Sequence, residues 1–299
     1  MMSGRRASHL AQAYLFILPA AVILVMFLYY PVVKSIQYSF FSFKNFAPYG
    51  FIGLRNFHDA FIDAVFWNSI FLTFKWVLMN AALPTLVGLI LAFLLEFFGG
   101  TRWFAGAGRT ILFMPMMMSM VAVGLLWTLI YNTNFGLLNA LLHAVGVRGN
   151  FIAFGNLGTA LYMTYIPVVW QSSGFSMVVF SAAIQGISKE MTEAAMLEGA
   201  NRANQLRYIL IPSIIRTVTM IVIVNMIAGF KAFDLLYVLT RGGPGISTEI
   251  TAVYAYKQAF FAFKFEYASA MMVCLFVCVI VFVFIFTFLS AKIERKLGS

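Results

Sequence analysis

The sequence predicts an all-α, polytopic membrane protein with six transmembrane helices and both termini on the cytoplasmic side. Composition is the first reason: 62% of the 299 residues are hydrophobic and 10% are charged, against roughly 25% charged in a soluble domain, and the mean hydropathy is +0.91. The second is the grouping of apolar residues into six runs, about 10–33, 67–95, 110–131, 158–184, 212–239 and 268–291, each near or above the roughly 20 residues that cross a bilayer. The third is the placement of Lys and Arg. Eleven of the twenty fall on one side of a six-span topology and seven on the other, with Lys75 and Lys231 inside spans. Their excess in the short segments puts the termini and the 188–212 loop inside.

The same numbers exclude other classes. The formal charge of +10 comes from basic residues standing singly between apolar runs, which suits lipid head groups and not nucleic acid. Cys274 and Cys278 lie four apart in one apolar run, so they share a helix face and make neither a disulfide framework nor a metal site.

Taken in order, residues 1–9 form a cytoplasmic segment in which Arg5 and Arg6 anchor the first span. The uncharged run that follows is longer than a signal-peptide core and ends in Tyr29-Tyr30-Pro31, so it is retained as a spanning helix. Lys34 to Phe66 reads as an external loop with a short helix. The second span carries Lys75 near its outer end, where the ammonium snorkels, and Pro84 in its middle, where bundle neighbours satisfy the freed carbonyl. Gly99 to Arg109 is an inside turn. The third span is rich in methionine, from Met114 to Met120, without Cys or His beside it; these side chains are packing filler. Asn132 to Leu157 is external and includes the amphipathic FGLLNALLHAVGV. The fourth span holds Pro167, Trp170, Gln171, Ser172 and Ser173 near its centre, and polar groups at that depth mark a pathway or face protein.

Glu193 to Pro212, EAAMLEGANRANQLRYILIP, is polar in an otherwise apolar chain. Ser188 suits an N-cap and Glu190 and Glu193 suit the positive end of a helix. Ala194, Ala195 and Gly199 are small enough for a partner backbone to approach, and Gly199 eases a bend between two short helices. On shape alone the stretch fits a docking lever or a solvated connector. The fifth span has only fourteen uncharged residues between Arg216 and Lys231, about 21 Å of helix, so it continues past both charges. Lys231 and Asp234, three apart, can pair. With Asn225 and Gly229 inside it, this helix is suited to lining a cavity. RGGPGISTE, from Arg241 to Glu249, lacks the lysine of a phosphate-binding loop and reads as a turn. The sixth span ends in the cytoplasmic tail 292–299, with Lys292, Arg295 and Lys296.

Glu193-Ala194-Ala195, then Gly199, Ile209 and Pro212, resembles the EAA loop of permease subunits of binding-protein-dependent ATP-binding-cassette importers. Ser188 stands where that family often has proline, and Ile211 where leucine is usual. YLFILPAAVILVMFLYYPVVKSIQYSF, FIGLRNF, FGLLNALL and FDLLYVLTRGGPGIST are similar to the first permease of the carbohydrate-uptake branch, that of the maltose and glycerol-3-phosphate importers. The resemblance implies the importer permease fold over 10–291, with a cytoplasmic coupling helix in the loop 188–212, in the cytoplasmic membrane of a prokaryote. It implies a second permease, two ATPase subunits that bind ATP and Mg, and an extracytoplasmic substrate-binding protein as partners; this chain has no catalytic residue, metal or cofactor of its own. Glu193, Ala194, Ala195 and Gly199 would couple to the ATPase. Sugar contacts of the maltose member, aligned through Glu193 and Gly242-Gly243-Pro244, fall on Gln171, Ser172, Phe175, Asn225, Ala228, Gly229 and Ala232. The substrate is then a sugar or a related solute such as glycerol-3-phosphate. A secondary transporter would need mid-membrane acids, and the acids near spans, Glu96 and Asp234, lie near ends. A membrane enzyme is disfavoured by three scattered histidines, His9, His58 and His143.

Overall fold

The computed structural model describes residues 14–98 and 102–297. The segment 1–9 with Arg5 and Arg6, the first residues of the first run, 99–101 and the last two residues of the tail lie outside the described residues. The chain divides into two compact units, one formed up to Ala64 together with Ala255–Phe276, the other by Val65–Tyr254 with the remainder.

In the first unit, α1 runs over Tyr14–Tyr38 and widens to a π turn at Val25–Tyr29 just before Pro31. A proline ring crowds the carbonyl four residues earlier, and a π turn moves that carbonyl away. The loop expected next contains a hairpin, β1 (Phe41–Lys44) and β2 (Ala47–Phe51), antiparallel with a bulge after Ser42, followed by α2 (Arg55–Ile62). Asn56 is buried and its amide donates to Ser39 O and Phe41 O at 2.9 and 3.1 Å, tying α2 to the hairpin. Tyr267 donates to Asp63 Oδ2 at 2.6 Å.

The second unit holds the helices that carry the candidate site. α3 (Ala64–Phe98) is 35 residues long, about 52 Å, and Pro84 sits inside it unbroken. The third run, expected as one span, is two helices, α4 (Arg102–Phe113) and α5 (Met120–Ile130), separated by a 3-10 turn at Met114–Met117 and bent by 99°. Pro115 starts the turn, and Ser119 begins α5 by accepting from Ala122 N at 3.3 Å. After α6 (Leu137–Ala144) come α7 (Ala160–Gln185), α8 (Lys189–Leu197), α9 (Arg202–Gln205), a π turn at Leu206–Leu210 and α10 (Ile211–Phe230). The fifth run stops at Lys231 and restarts as α11 (Asp234–Thr240). Because Lys231 and Asp234 are no longer on one helix, the expected ion pair between them does not form. α12 (Thr251–Phe260) and α13 (Phe265–Leu297) complete the chain.

Close approach of α3, α4 and α7 is set by glycine. A Cβ on Gly174 would lie 2.3 Å from Leu112 O, and one on Gly88 2.4 Å from Ser176 Cβ, the small-residue packing that membrane helices favour. Around these contacts the apolar core forms two clusters. One gathers Trp76, Val123, Tyr165, Met226 and Leu236. The other joins Ala92, Met177, Phe180 and Ile184 to Leu210, Ile214 and Ile221, at the end of the bundle from which α8 emerges.

Candidate functional site

α8 begins at Ser188, whose side chain makes no cap hydrogen bond, so the expected cap is positional only. Its acidic first turn still suits the helix dipole. The helix ends in a closed glycine motif: Gly199 has φ +83°, Ala200 N donates to Ala195 O at 2.9 Å and Gly199 N to Met196 O at 3.0 Å. This pairing satisfies the last carbonyls of α8 and reverses the chain. The reversal is then fixed to α9. Asn201 Oδ1 accepts from Asn204 N at 2.9 Å, and the buried Gln205 donates to Ala200 O at 3.1 Å. A π turn leads from there into α10 at Pro212, and Leu206 and Leu210 enter the second apolar cluster.

Glu193, Ala194 and Gly199 are all exposed on this structure and Ala195 is half-buried. Beside them stand Met191, Met196 and Leu197, the last 91% exposed. Three large exposed apolar side chains on a nine-residue helix form a surface suited to a partner. At the root of α8, Ile187 on one side and Leu206 and Leu210 on the other pack into the second apolar cluster.

The seven pathway candidates do not share one face. Asn225 is buried: its side-chain amide donates to Thr85 Oγ1 at 3.0 Å and Ser176 Oγ at 3.4 Å, while its backbone carbonyl accepts from Asn80 Nδ2 at 2.6 Å. Gly229 faces α3, where a Cβ would come within 3.1 Å of Asn80 Nδ2. Ala228, one residue away, is exposed. Gln171 is buried and its Nε2 lies 3.4 Å from both Met116 O and Met118 O. Those carbonyls flank the α4–α5 break, where intrahelical donors are missing, so Gln171 holds the break. Ser172 donates to Gln171 Oε1 at 2.8 Å. Phe175 packs against the second cluster and Ala232 against the first. Asn80, Thr85 and Ser176 went unnoticed in the sequence, although each is a polar residue well inside an apolar run.

A cavity of about 660 Å³ opens between α3, α4 and α7, lined by Leu83, Val87, Ile111, Pro115, Ile166 and Trp170 among others. Its walls are almost wholly apolar, and none of the seven candidates lines it. The turn at Arg241–Glu249 closes on itself. Thr248, fully buried, bonds Thr240 Oγ1 at 2.7 Å and Gly243 O at 2.9 Å, as expected of a structural turn.

A bundle of helices long and apolar enough to cross a membrane, with one short, exposed, glycine-terminated helix in the sequence between two of them, marks a polytopic membrane protein. Residues 84–299 match the family described as the binding-protein-dependent transport system inner membrane component, and the chain belongs to that family. It is therefore a multi-pass protein of the cytoplasmic membrane and the permease component of an ABC transporter. It is 34% identical over 275 residues to a probable ABC transporter permease protein of Pyrococcus horikoshii, covering 91% of this chain and 92% of that protein. It is 30% identical to the trehalose/maltose transport system permease protein of Thermococcus litoralis, covering 81% of each. In fold it matches a chain of a bacterial ABC transporter that imports the acidic polysaccharide alginate, with a TM-score of 0.84, 21% identity, and coverage of 98% of this chain and 99% of that one.

Proposed function

We propose that this chain is one of two permeases in an ATP-driven, binding-protein-dependent sugar importer, with α8 as its coupling helix. The observation that carries this reading is α8 itself, bare on its outer face and anchored at its root to α10. The helix docks in a groove of the ATPase subunit on the cytoplasmic side, Glu193 pairing with a basic group there and Ala194, Ala195 and Gly199 permitting close approach. ATP and Mg are held by two such ATPase subunits, and this chain catalyses nothing. Closure of the ATPase dimer moves α8 and, through the bonded turn and the π turn before Pro212, tilts α10.

A sugar substrate is supported by relatives named for trehalose/maltose and for α-glucoside transport. An extracytoplasmic binding protein is supported by the matched alginate transporter, which was solved in complex with its substrate-bound periplasmic protein. Within this chain the pathway face is the exposed side of α10 around Ala228, together with Ser172. Asn225, Gly229 and Gln171 act there indirectly, by holding helices together. Glu193→Lys and Gly199→Asp test the reading: each is expected to leave the protein in the membrane while ATP hydrolysis proceeds without uptake. Normal uptake in both variants would overturn the coupling role of α8.

A further inference from the structure

Glu96 is the sole carboxylate between Asp63 and Glu190, and one of its oxygens takes two bonds. Arg109 Nη2 donates to Glu96 Oε2 at 2.8 Å, and Gln185 Nε2 donates to the same atom at 3.3 Å. These residues belong to three helices: Glu96 to the end of α3, Arg109 to α4, and Gln185 is the last residue of α7. Packing beside the pair is tight, since a Cβ on Gly108 would come within 2.9 Å of Leu95. Gln185 precedes Ser188, the first residue of the α8 motif, by three positions. The Arg109 guanidinium uses one prong here, and its Nε is buried without a hydrogen-bond partner among the described residues. A two-pronged arrangement, which is the stronger one for this pair, is therefore open to it if the helices shift.

We infer that Glu96, Arg109 and Gln185 form a bracket that passes movement of α8 to α3 and α4, so that these are positioning residues for coupling. The inference rests on α8 being the coupling helix. A push on α8 has a direct route to α10 through the turn at Gly199 and Gln205. It has no comparable covalent route to α3 or α4, whose connection at 99–101 lies elsewhere in the sequence. The bracket supplies a non-covalent route at the root of α8, through a lone carboxylate that holds a cation from α4 and an amide from α7. A surface ion pair with no such role would be worth little and would change only the amount of folded protein.

The experiment uses the intact complex copurified with this chain, with Cys274 and Cys278 replaced by Ala and spin labels on cysteines replacing Trp103 in α4 and Met220 in α10, both exposed. The label-to-label distance is measured without nucleotide and after trapping with Mg-ATP and vanadate, beside the ATP hydrolysis rate per complex. The expected result is a nucleotide-dependent shift in the parent that is lost in Gln185→Ala and Glu96→Gln while hydrolysis persists. The charge exchange Glu96→Arg with Arg109→Glu is expected to restore it. Gln185→Ala leaves the ion pair intact, so it reports even where Glu96→Gln lowers the yield. Gly199→Asp is run in parallel. Loss of the shift in Gly199→Asp with a full shift in both bracket variants would overturn the bracket and leave the coupling helix standing. A full shift in all three would overturn both.

Discussion

Replacing Gly199 isolates what the turn after α8 contributes. Its φ of +83° lies where an L side chain meets its own carbonyl, at about 1–2 kcal/mol per residue, while Asn and Asp tolerate the region. Nothing lies within 4 Å of a Cβ built on Gly199, so no steric contact adds to the backbone term. Gly199→Ala should therefore weaken the closed motif by about 1–2 kcal/mol, a factor of about 5–30 in the ratio of closed to open turn. Gly199→Asn should cost much less. The assay is hydrogen exchange at the Ala200 amide, which is held by Ala195 O at 2.9 Å, measured by mass spectrometry on the purified protein in detergent. Exchange should quicken by that factor in the alanine variant and stay near the parent in the asparagine variant. Equal exchange in Gly199→Ala and the parent would refute the backbone argument, as would an Asn variant that opens as readily as the Ala one.

Other substitutions separate packing from pathway. Asn225→Leu removes the side-chain amide that donates to Thr85 Oγ1 and Ser176 Oγ and leaves both hydroxyls without their shared donor, while the backbone carbonyl still accepts from Asn80, so the melting temperature of the purified protein should fall with a loss of about 1–3 kcal/mol; Ala228→Ser, on the exposed face, should change stability by less than about 0.5 kcal/mol. Gly174→Ala drives a methyl to 2.3 Å from Leu112 O and should cost about 1–3 kcal/mol or more, whereas Gly106→Ala, with open space around it, should be neutral or stabilising in the same melt. Gln171→Leu removes the donors that serve Met116 O and Met118 O, and increased proteolysis near the α4–α5 break would report it.

The runs of apolar residues made the spanning helices legible, because bilayer thickness fixes their length. Gly199 was legible as a bend because a lone glycine between two polar helical stretches has few other uses. The break between α4 and α5 was hidden by hydropathy, which reads Met114 to Met120 as one apolar run. Pro115 and the capping Ser119 were the available signal, since together they end one helix and begin another. Lys231 misled in a similar way: a charge spacing of three carries meaning only while the helix continues, and α10 stops there. Asn225 and Gly229 show why depth in the membrane does not give direction. A polar or small residue at mid-span is needed equally where helices pack and where solute passes, and only the positions of Asn80, Thr85 and Ser176 decide between them. The hairpin at 41–51 lacked a two-residue glycine turn and so gave little sign of itself; Asn45 and Phe46 take positive φ there instead.

On the proposed function, this chain works only as part of an ATP-driven assembly, docked through α8. The decisive experiment is to purify it in mild detergent from its native host and identify by mass spectrometry what accompanies it. A second permease and an ATPase should copurify, and Glu193→Lys should release the ATPase while retaining the permease. A chain that comes alone or as a homo-oligomer, with transport that survives ATP depletion, would contradict it.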